Sequence, residues 1–190
     1  MFSKISVTAS SNLLRNQSKF CCQASGHAIR RTKSSTVRPL TQYAPNDQIY
    51  LHPLENKIAV SFSRLPTSIP LGYSSSMTVT PQSFEPNPQF LPLLHSIIAS
   101  NVDRDFAFIV EAGVNANTFM PVYDFREVPR FGRRPEIDNV FGYVQVDESG
   151  KIVPGSFEAN EMYRICNASG LPRLSDHMYG QIQTALEQHS

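Results

Sequence analysis

Cysteine is scarce in this chain of 190 residues. Cys21 and Cys22 lie near the start, in a segment that we expect to be removed, which leaves Cys166 as the last thiol. A single thiol forms neither an intramolecular disulfide nor a thiolate metal cluster. The five histidines include no HxxxH or HxH pair. The sequence therefore predicts no metal site and no cofactor.

Long apolar runs are also lacking, since the purest one covers only residues 106–110. A membrane-spanning helix needs roughly 18 to 20 apolar residues, so the sequence predicts no transmembrane segment. Nucleophile elbows and glycine-rich phosphate loops are missing as well, which disfavours the enzyme classes that depend on them. An apolar fraction of 41%, with 10% aromatic residues, is nevertheless enough for a packed core.

Acidic residues are absent from residues 1–38. Apolar residues recur there at helical spacing, serine and threonine are frequent, and a secretory signal is disfavoured because no uninterrupted apolar core precedes Arg30. This pattern is typical of a mitochondrial transit peptide. We therefore predict a transit peptide over residues 1–35, cleaved near Arg30 and Arg31, and a protein of the mitochondrial matrix. The same segment holds seven basic residues: Lys4, Arg15, Lys19, Arg30, Arg31, Lys33 and Arg38.

Removal of the leader makes the protein acidic. Residues 39–190 carry ten basic and sixteen acidic residues, which corresponds to a net charge of −6. Proteins that bind nucleic acid without sequence preference neutralise phosphates with lysine and arginine. Because only Lys57 and Lys151 remain as lysines, the sequence disfavours nucleic acid as a partner.

The remaining chain divides into two parts by composition. Prolines come every few residues from Pro39 to Pro88, and each one fixes its own φ angle. We therefore predict a Pro-rich extended arm over residues 36–86, in which only residues 57–64 alternate like a strand. Residues 87–190 show regular patterns and are predicted to form a small α+β domain.

The predicted domain combines two helices with a small antiparallel sheet that they cover. Apolar residues at helical spacing follow Asn87-Pro88, and Ser175 is a plausible N-cap for the second helix. The order of elements, without repeated strand–helix–strand crossovers, favours the α+β class. The predicted elements are a helix from residue 88 or 91 to 100, strands at residues 106–110, 119–125 and 162–167, a hairpin of residues 140–146 and 151–154, and a helix from residue 175 to the C-terminus.

One loop concentrates the charge of this domain. Residues 125–144 contain Arg126, Arg130, Arg133, Arg134, Glu127, Glu136 and Asp138, directly after Asp124. The arginines can pair with these acids and with loop carbonyls, which would hold an irregular loop in one shape. Alternatively, Arg133 and Arg134 present two cations to a carboxylate, a phosphate or an acidic partner. A third interpretation makes Asp124 or Glu127 a general base beside Arg126, with His177 as the acid.

The same stretch resembles a group of fungal mitochondrial proteins of unassigned function. They share a pattern like Tyr123-Asp124, Arg126, Pro129, Gly132-Arg133, Pro135, Asp138, Phe141-Gly142 and Val144. The resemblance covers roughly residues 122–186. It implies a mitochondrial protein, and it implies no activity, cofactor or catalytic residue.

These observations rank three functions. The first is a non-catalytic accessory or binding protein that acts on a mitochondrial protein partner or complex through the arm and the arginine loop. The alternative is a small enzyme that acts on an anionic metabolite near Arg126, Arg133 and Arg134. A mitochondrial ribosome-associated factor ranks below both, because the net charge opposes RNA binding.

Overall fold

A computed structural model of the chain describes residues 40–130 and 133–188. The predicted transit peptide, residues 1–35, lies outside the described residues, as does its predicted cleavage site. Within the described part, no helix combines the length and the apolar character that a membrane span requires. The α+β class is confirmed, with two antiparallel sheets and three α-helices in place of the single sheet and two helices that we predicted.

The first sheet occupies most of the segment predicted as an arm. Its strands are β1 (Thr41–Gln42), β2 (Tyr50–Pro53), β3 (Ile58–Ser61), β4 (Gly72–Ser74) and β5 (Phe84–Pro86). They pair antiparallel in chain order, from β1 at one edge to β5 at the other.

The structure differs here from the extended arm expected over residues 36–86, for a reason that lies in the placement of the prolines. Pro53 is the last residue of β2 and Pro86 is the last residue of β5. Pro66 and Pro70 lie in the connection between β3 and β4. The strands are only two to four residues long, so the prolines fall at their ends and interrupt few ladder hydrogen bonds. Only β3, which lies within residues 57–64, was expected as a strand.

Three helices follow. They are α1 (Phe90–Asn101), α2 (Phe106–Val114) and α3 (Asp176–Gln188). Both α1 and α3 confirm the predicted helices, and the Ser175 hydroxyl oxygen accepts a hydrogen bond from the Met178 backbone at 3.1 Å, as an N-cap does.

The strand predicted at residues 106–110 was wrong, because these residues form the first part of α2. The Asp105 carboxylate caps this helix by accepting a hydrogen bond from the Ala107 N–H at 3.0 Å. Phe108 and Ala112, four residues apart, are its buried side chains, which is the spacing of a helix face. A short apolar run does not distinguish a buried strand from a helix, and here the cap decided between them.

The second sheet contains β6 (Phe119–Tyr123), β7 (Val140–Gln145) and β8 (Glu158–Ala159), in the order β6-β7-β8. The predicted strands at residues 119–125 and 140–146 are confirmed. The hairpin turn after β7 is present, and a single bridge joins Val146 to Ile152. The strand predicted at residues 162–167 was wrong: this segment is irregular, and its carbonyl groups accept hydrogen bonds from a side chain, that of Arg126.

A single hydrophobic core joins both sheets and the helices. Phe62, directly after β3, is fully buried, and its ring centroid lies 6.0 Å from that of Phe90 in α1. It lies at the same distance from the ring of Tyr179 in α3. The first sheet is therefore a structural part of the folded unit that contains both terminal helices.

Candidate functional site

The arginine loop connects β6 to β7, as predicted, and it begins with a buried ion pair. Asp124 follows β6 directly and is fully buried, while the Arg126 side chain is 2% exposed. Arg126 binds the Asp124 Oδ2 atom through Nη2 at 2.7 Å and through Nε at 2.8 Å. The other carboxylate oxygen, Oδ1, accepts from the backbone N–H groups of Arg126 at 2.9 Å and Arg173 at 2.8 Å. These contacts confirm the supporting charge network that the loop sequence suggested for these two residues.

The rest of the Arg126 guanidinium ties the loop to residues 163–170. Its Nη1 donates to the Ile165 carbonyl at 3.2 Å, to the Asn167 Oδ1 atom at 3.2 Å and to the Gly170 carbonyl at 2.7 Å. Its Nη2 donates to the Tyr163 hydroxyl at 2.9 Å and to the Arg164 carbonyl at 2.8 Å. Every nitrogen of the guanidinium thus has protein acceptors, and no donor is left over for a ligand.

Tyr163 completes this buried network. Its hydroxyl donates to the Asp124 Oδ2 atom at 3.0 Å. Burial, followed by the negative charge of Asp124, raises the pKa of Tyr163 well above its usual value, so the phenol stays protonated. Burial also raises the pKa of the Asp124 carboxyl, and the positive charge of Arg126 opposes that rise. The network is thus a closed structural unit whose charges depend on one another.

The other predicted site residues do not contact the Asp124–Arg126 pair directly. Arg133 and Arg134 are exposed on the loop, and the ion pairs among the described residues involve other cations. Glu127 accepts hydrogen bonds from Ser169 and Asn139. His177 lies in α3, and its Nε2 has no partner in the described part of the chain. The arrangement therefore places Asp124 with Arg126 and leaves Arg133 and Arg134 as exposed cations.

An exposed apolar face on α2 was not expected from the sequence. We define the α2 face as Phe106, Ile109, Val110 and Val114, which lie on the side opposite the buried Phe108. Phe106 is 77% exposed and Val114 is 83% exposed. The signal was present in FAFIVEAGV, in which Glu111 is the single charged residue, but the expected strand concealed it.

Charged residues close to α2 in the fold are mostly acidic. A Cβ atom on Gly150 would lie 3.1 Å from the Gly113 Cα atom, so the turn of residues 147–150 packs against the end of α2. In this turn, hydrogen bonds from the Lys151 backbone and the Ser149 hydroxyl lower the pKa of Asp147 and keep it ionised. The acids of this region are Asp103, Asp105, Glu111, Asp147 and Glu148, against the bases Arg104 and Lys151.

A groove of about 820 Å³ lies between the edge strands of the two sheets. We call it the edge groove: β5 lines it on one side, residues 159–166 line it on the other, and the first half of α1 contributes Leu91, Pro92 and His95. Burial lowers the pKa of His95, so its ring is neutral at pH 7. Burial also raises the pKa of the Cys166 thiol, only partly offset by the charge of Arg126. Both residues therefore line the groove with uncharged side chains.

Within residues 40–130 and 133–188, no group of three or more histidine, cysteine, aspartate or glutamate residues could hold a metal ion. Comparison with models of protein families, with curated proteins and with solved structures finds no match to this chain. The resemblance of residues 122–186 to fungal mitochondrial proteins therefore remains a prediction, and the candidate sites are argued from their own geometry.

Proposed function

We propose that this protein is a non-catalytic accessory protein of the mitochondrial matrix that binds a partner protein. The α2 face carries this proposal. A helix at a protein surface normally turns charged or polar residues outward, and a helix that is apolar on all sides is normally buried. The outward side of α2 contains no charged residue, although Phe106 and Val114 are largely exposed. Contiguous apolar surface of this kind marks an interaction site.

The shape of the α2 face favours a helix as its partner. With nine residues and a rise of about 1.5 Å each, α2 offers an apolar stripe roughly 13 Å long. Gly113 lies on the same side, and a Cβ atom there would meet nothing within 4 Å, so a partner side chain can approach the backbone closely. An amphipathic helix fills such a stripe with residues spaced three and four apart.

The charges near α2 favour a heterologous partner over a second copy. Asp103, Asp147 and Glu148 alone outnumber the two nearby bases, so two identical faces in contact would bring acidic side chains together. A partner helix with an apolar face bordered by lysine or arginine meets this surface without that repulsion. We therefore assign the α2 face to a basic amphipathic helix of another protein.

The enzyme alternative receives less support from the same geometry. It placed an anionic metabolite near Arg126, Arg133 and Arg134, but the guanidinium of Arg126 is fully used inside the protein. Arg133 and Arg134 are exposed, and they can add contacts to an acidic surface of the partner.

Substitution of the α2 face tests the proposal. We expect Val110→Asp to abolish the complex while changing the unfolding free energy by no more than about 0.5 kcal/mol, because Val110 is already exposed. A photo-crosslinking residue at Val110 should label one partner protein, within a segment that combines apolar and basic residues. Met77, exposed in the connection between β4 and β5, is the matched control position.

Three outcomes contradict this assignment. Labelling from Val110 could match labelling from Met77, it could mark a second copy of the chain, or the labelled segment could be acidic. Native gel mobility of the Val110→Asp variant against wild type then shows whether a complex depends on α2.

The matrix location is tested separately. We expect the protein isolated from mitochondria to lack residues 1 to about 35, with cleavage near Arg30 and Arg31, because the acids first appear soon after these arginines. N-terminal sequencing of the imported protein measures this directly. A mitochondrial protein that retains Met1, or a protein found in the cytosol, contradicts the proposed import.

A further inference from the structure

We infer that the edge groove binds a small apolar carboxylate, independently of the partner proposed for α2. Its volume of about 820 Å³ falls within the range of roughly 300 to 1,000 Å³ that small-molecule sites occupy. It also lies where β5 and β8 are the outer strands of their sheets, so neither sheet continues across it. The space between the two edges is a recess formed by the fold itself.

The walls of the edge groove suit the apolar body of a ligand. Pro86, Pro88 and Pro92 contribute to them, and proline has no backbone N–H to offer and a fixed φ angle. Leu91 and the buried Ile165 add further apolar surface. These walls are therefore stiff and poor in hydrogen-bond donors, so a ligand would lose little binding energy to their rearrangement.

His95 adds to the apolar character. Its ring lies 6.1 Å from the ring of Phe157, and its Nε2 is shielded from solvent without a partner in the described residues. Because its pKa is lowered by burial, the ring carries no charge at pH 7. Neither His95 nor the neutral Cys166 thiol would attract or repel an ion in the groove.

One cation of the edge groove lacks an ion-pair partner. Arg164 lines the groove and is exposed, and the ion pairs among the described residues do not include it. Its backbone is held at both sides, since its N–H donates to the Asp138 carbonyl at 3.1 Å and its own carbonyl accepts from Arg126 at 2.8 Å. An arginine whose backbone is anchored, and whose guanidinium has no ion-pair partner among the described residues, is suited to a carboxylate, which it binds in a bidentate manner.

Glu161 also lines the groove, and its negative charge disfavours ligands that carry more than one negative group. It is exposed, and no ion pair among the described residues neutralises it. A ligand with several negative groups would meet it, whereas a single carboxylate placed on Arg164 would not have to. The chemistry of the groove thus favours one anionic group joined to an apolar chain or ring.

Decanoate and decan-1-ol, which differ in the charged group, provide the test. In calorimetric titration of the full-length chain, we expect saturable binding of decanoate, weakened about tenfold by Arg164→Gln. The affinity for decan-1-ol should not change in that variant. Arg104→Gln removes another exposed arginine, which lies outside the groove, and this variant should bind decanoate like wild type.

A second pair of variants tests whether the ligand binds in the edge groove. Leu91→Glu puts a charge on the apolar wall and should weaken both probes, whereas Val110→Asp on the α2 face should weaken neither. The inference is overturned if wild type shows no saturable binding of decanoate up to millimolar concentration. It is also overturned if Arg104→Gln costs as much affinity as Arg164→Gln, or if Val110→Asp rather than Leu91→Glu removes binding. Failure of decanoate to bind would leave the α2 partner unaffected, so the two proposals are distinguishable.

Discussion

Replacement of Arg126 by alanine should destabilise the protein by about 3 to 5 kcal/mol, the cost of leaving a buried charge uncompensated. Asp124 is fully buried, and Arg126 is its ion-pair partner at 2.7 Å. Removal of the guanidinium also leaves the carbonyls of Ile165 and Gly170 without the donor that fixes residues 163–170. For a protein of this size, we expect the thermal midpoint to fall by on the order of 10 °C.

The exposed arginines of the same loop are the matched controls. Arg133→Ala and Arg134→Ala remove the same side chain from the loop, but both positions are exposed, so the unfolding free energy should change by about 0.5 kcal/mol or less. Denaturant titration of the three variants compares them directly. Equal stability in all three would show that the buried network contributes nothing, and a large loss in Arg133→Ala would refute the division of the loop into a buried and an exposed part.

The loss of unfolding free energy in the Arg126→Ala variant should also depend on pH. Burial raises the pKa of Asp124, and the charge of Arg126 opposes that rise in wild type. Without Arg126, burial in the folded protein favours the protonated form of the Asp124 carboxyl. The variant is therefore most stable at a pH below the pKa that Asp124 has in the unfolded chain, and it loses stability as the pH rises through the pKa that Asp124 has in the folded protein. The difference from wild type should therefore be smaller at pH 5 than at pH 7. A second substitution, Asp124→Asn, should recover part of the loss, which a double-mutant cycle measures.

Replacement of Phe62 by alanine should cost about 3 to 5 kcal/mol, the usual loss for a fully buried phenylalanine. Phe62 is 0% exposed, and its ring packs on Phe90 of α1 and Tyr179 of α3, each with a centroid separation of 6.0 Å. The substitution therefore opens a cavity where the first sheet meets both helices. We expect a single unfolding transition with a lower midpoint, because sheet and helices share one core.

Leu65→Ala is the control for Phe62. Leu65 lies three residues later, is 42% exposed, and should lose about 0.5 kcal/mol or less on truncation. If Phe62→Ala unfolded no more easily than Leu65→Ala, residues 41–86 would behave as the extended arm that their prolines suggest. Fluorescence and far-ultraviolet circular dichroism, followed in the same denaturant series, show whether the sheet and the helices unfold together.

Sequence alone identified the elements whose signals are local. Both α1 and α3 combine an apolar stripe at helical spacing with a start signal, and such patterns depend on neighbours within one or two turns. The strands β6 and β7 were found from their residue content and from the turns that bound them. The loop between them, with Asp124 and Arg126, was found from its charge density. Such features lead to the α+β class without knowledge of any long-range contact.

Tertiary structure decided the features that depend on residues far apart in the chain. Arg126 finds its acceptors at Tyr163, Ile165 and Gly170, 37 to 44 residues later, and those bonds replace the strand expected there. Residues 41–86 form a sheet whose neighbour Phe62 packs on Phe90 in the shared core, and β3 was the one strand of this sheet that the sequence predicted.

The two proposed binding surfaces also depend on the tertiary structure. Periodicity indicates that a segment is apolar, but which side of it is covered depends on the elements that pack against it. For α2 the core covers Phe108 and leaves Val110 exposed. The edge groove exists only because the outer strands of two sheets face a common recess beside α1. Burial and concavity result from packing between distant segments, and no local pattern of residues specifies them.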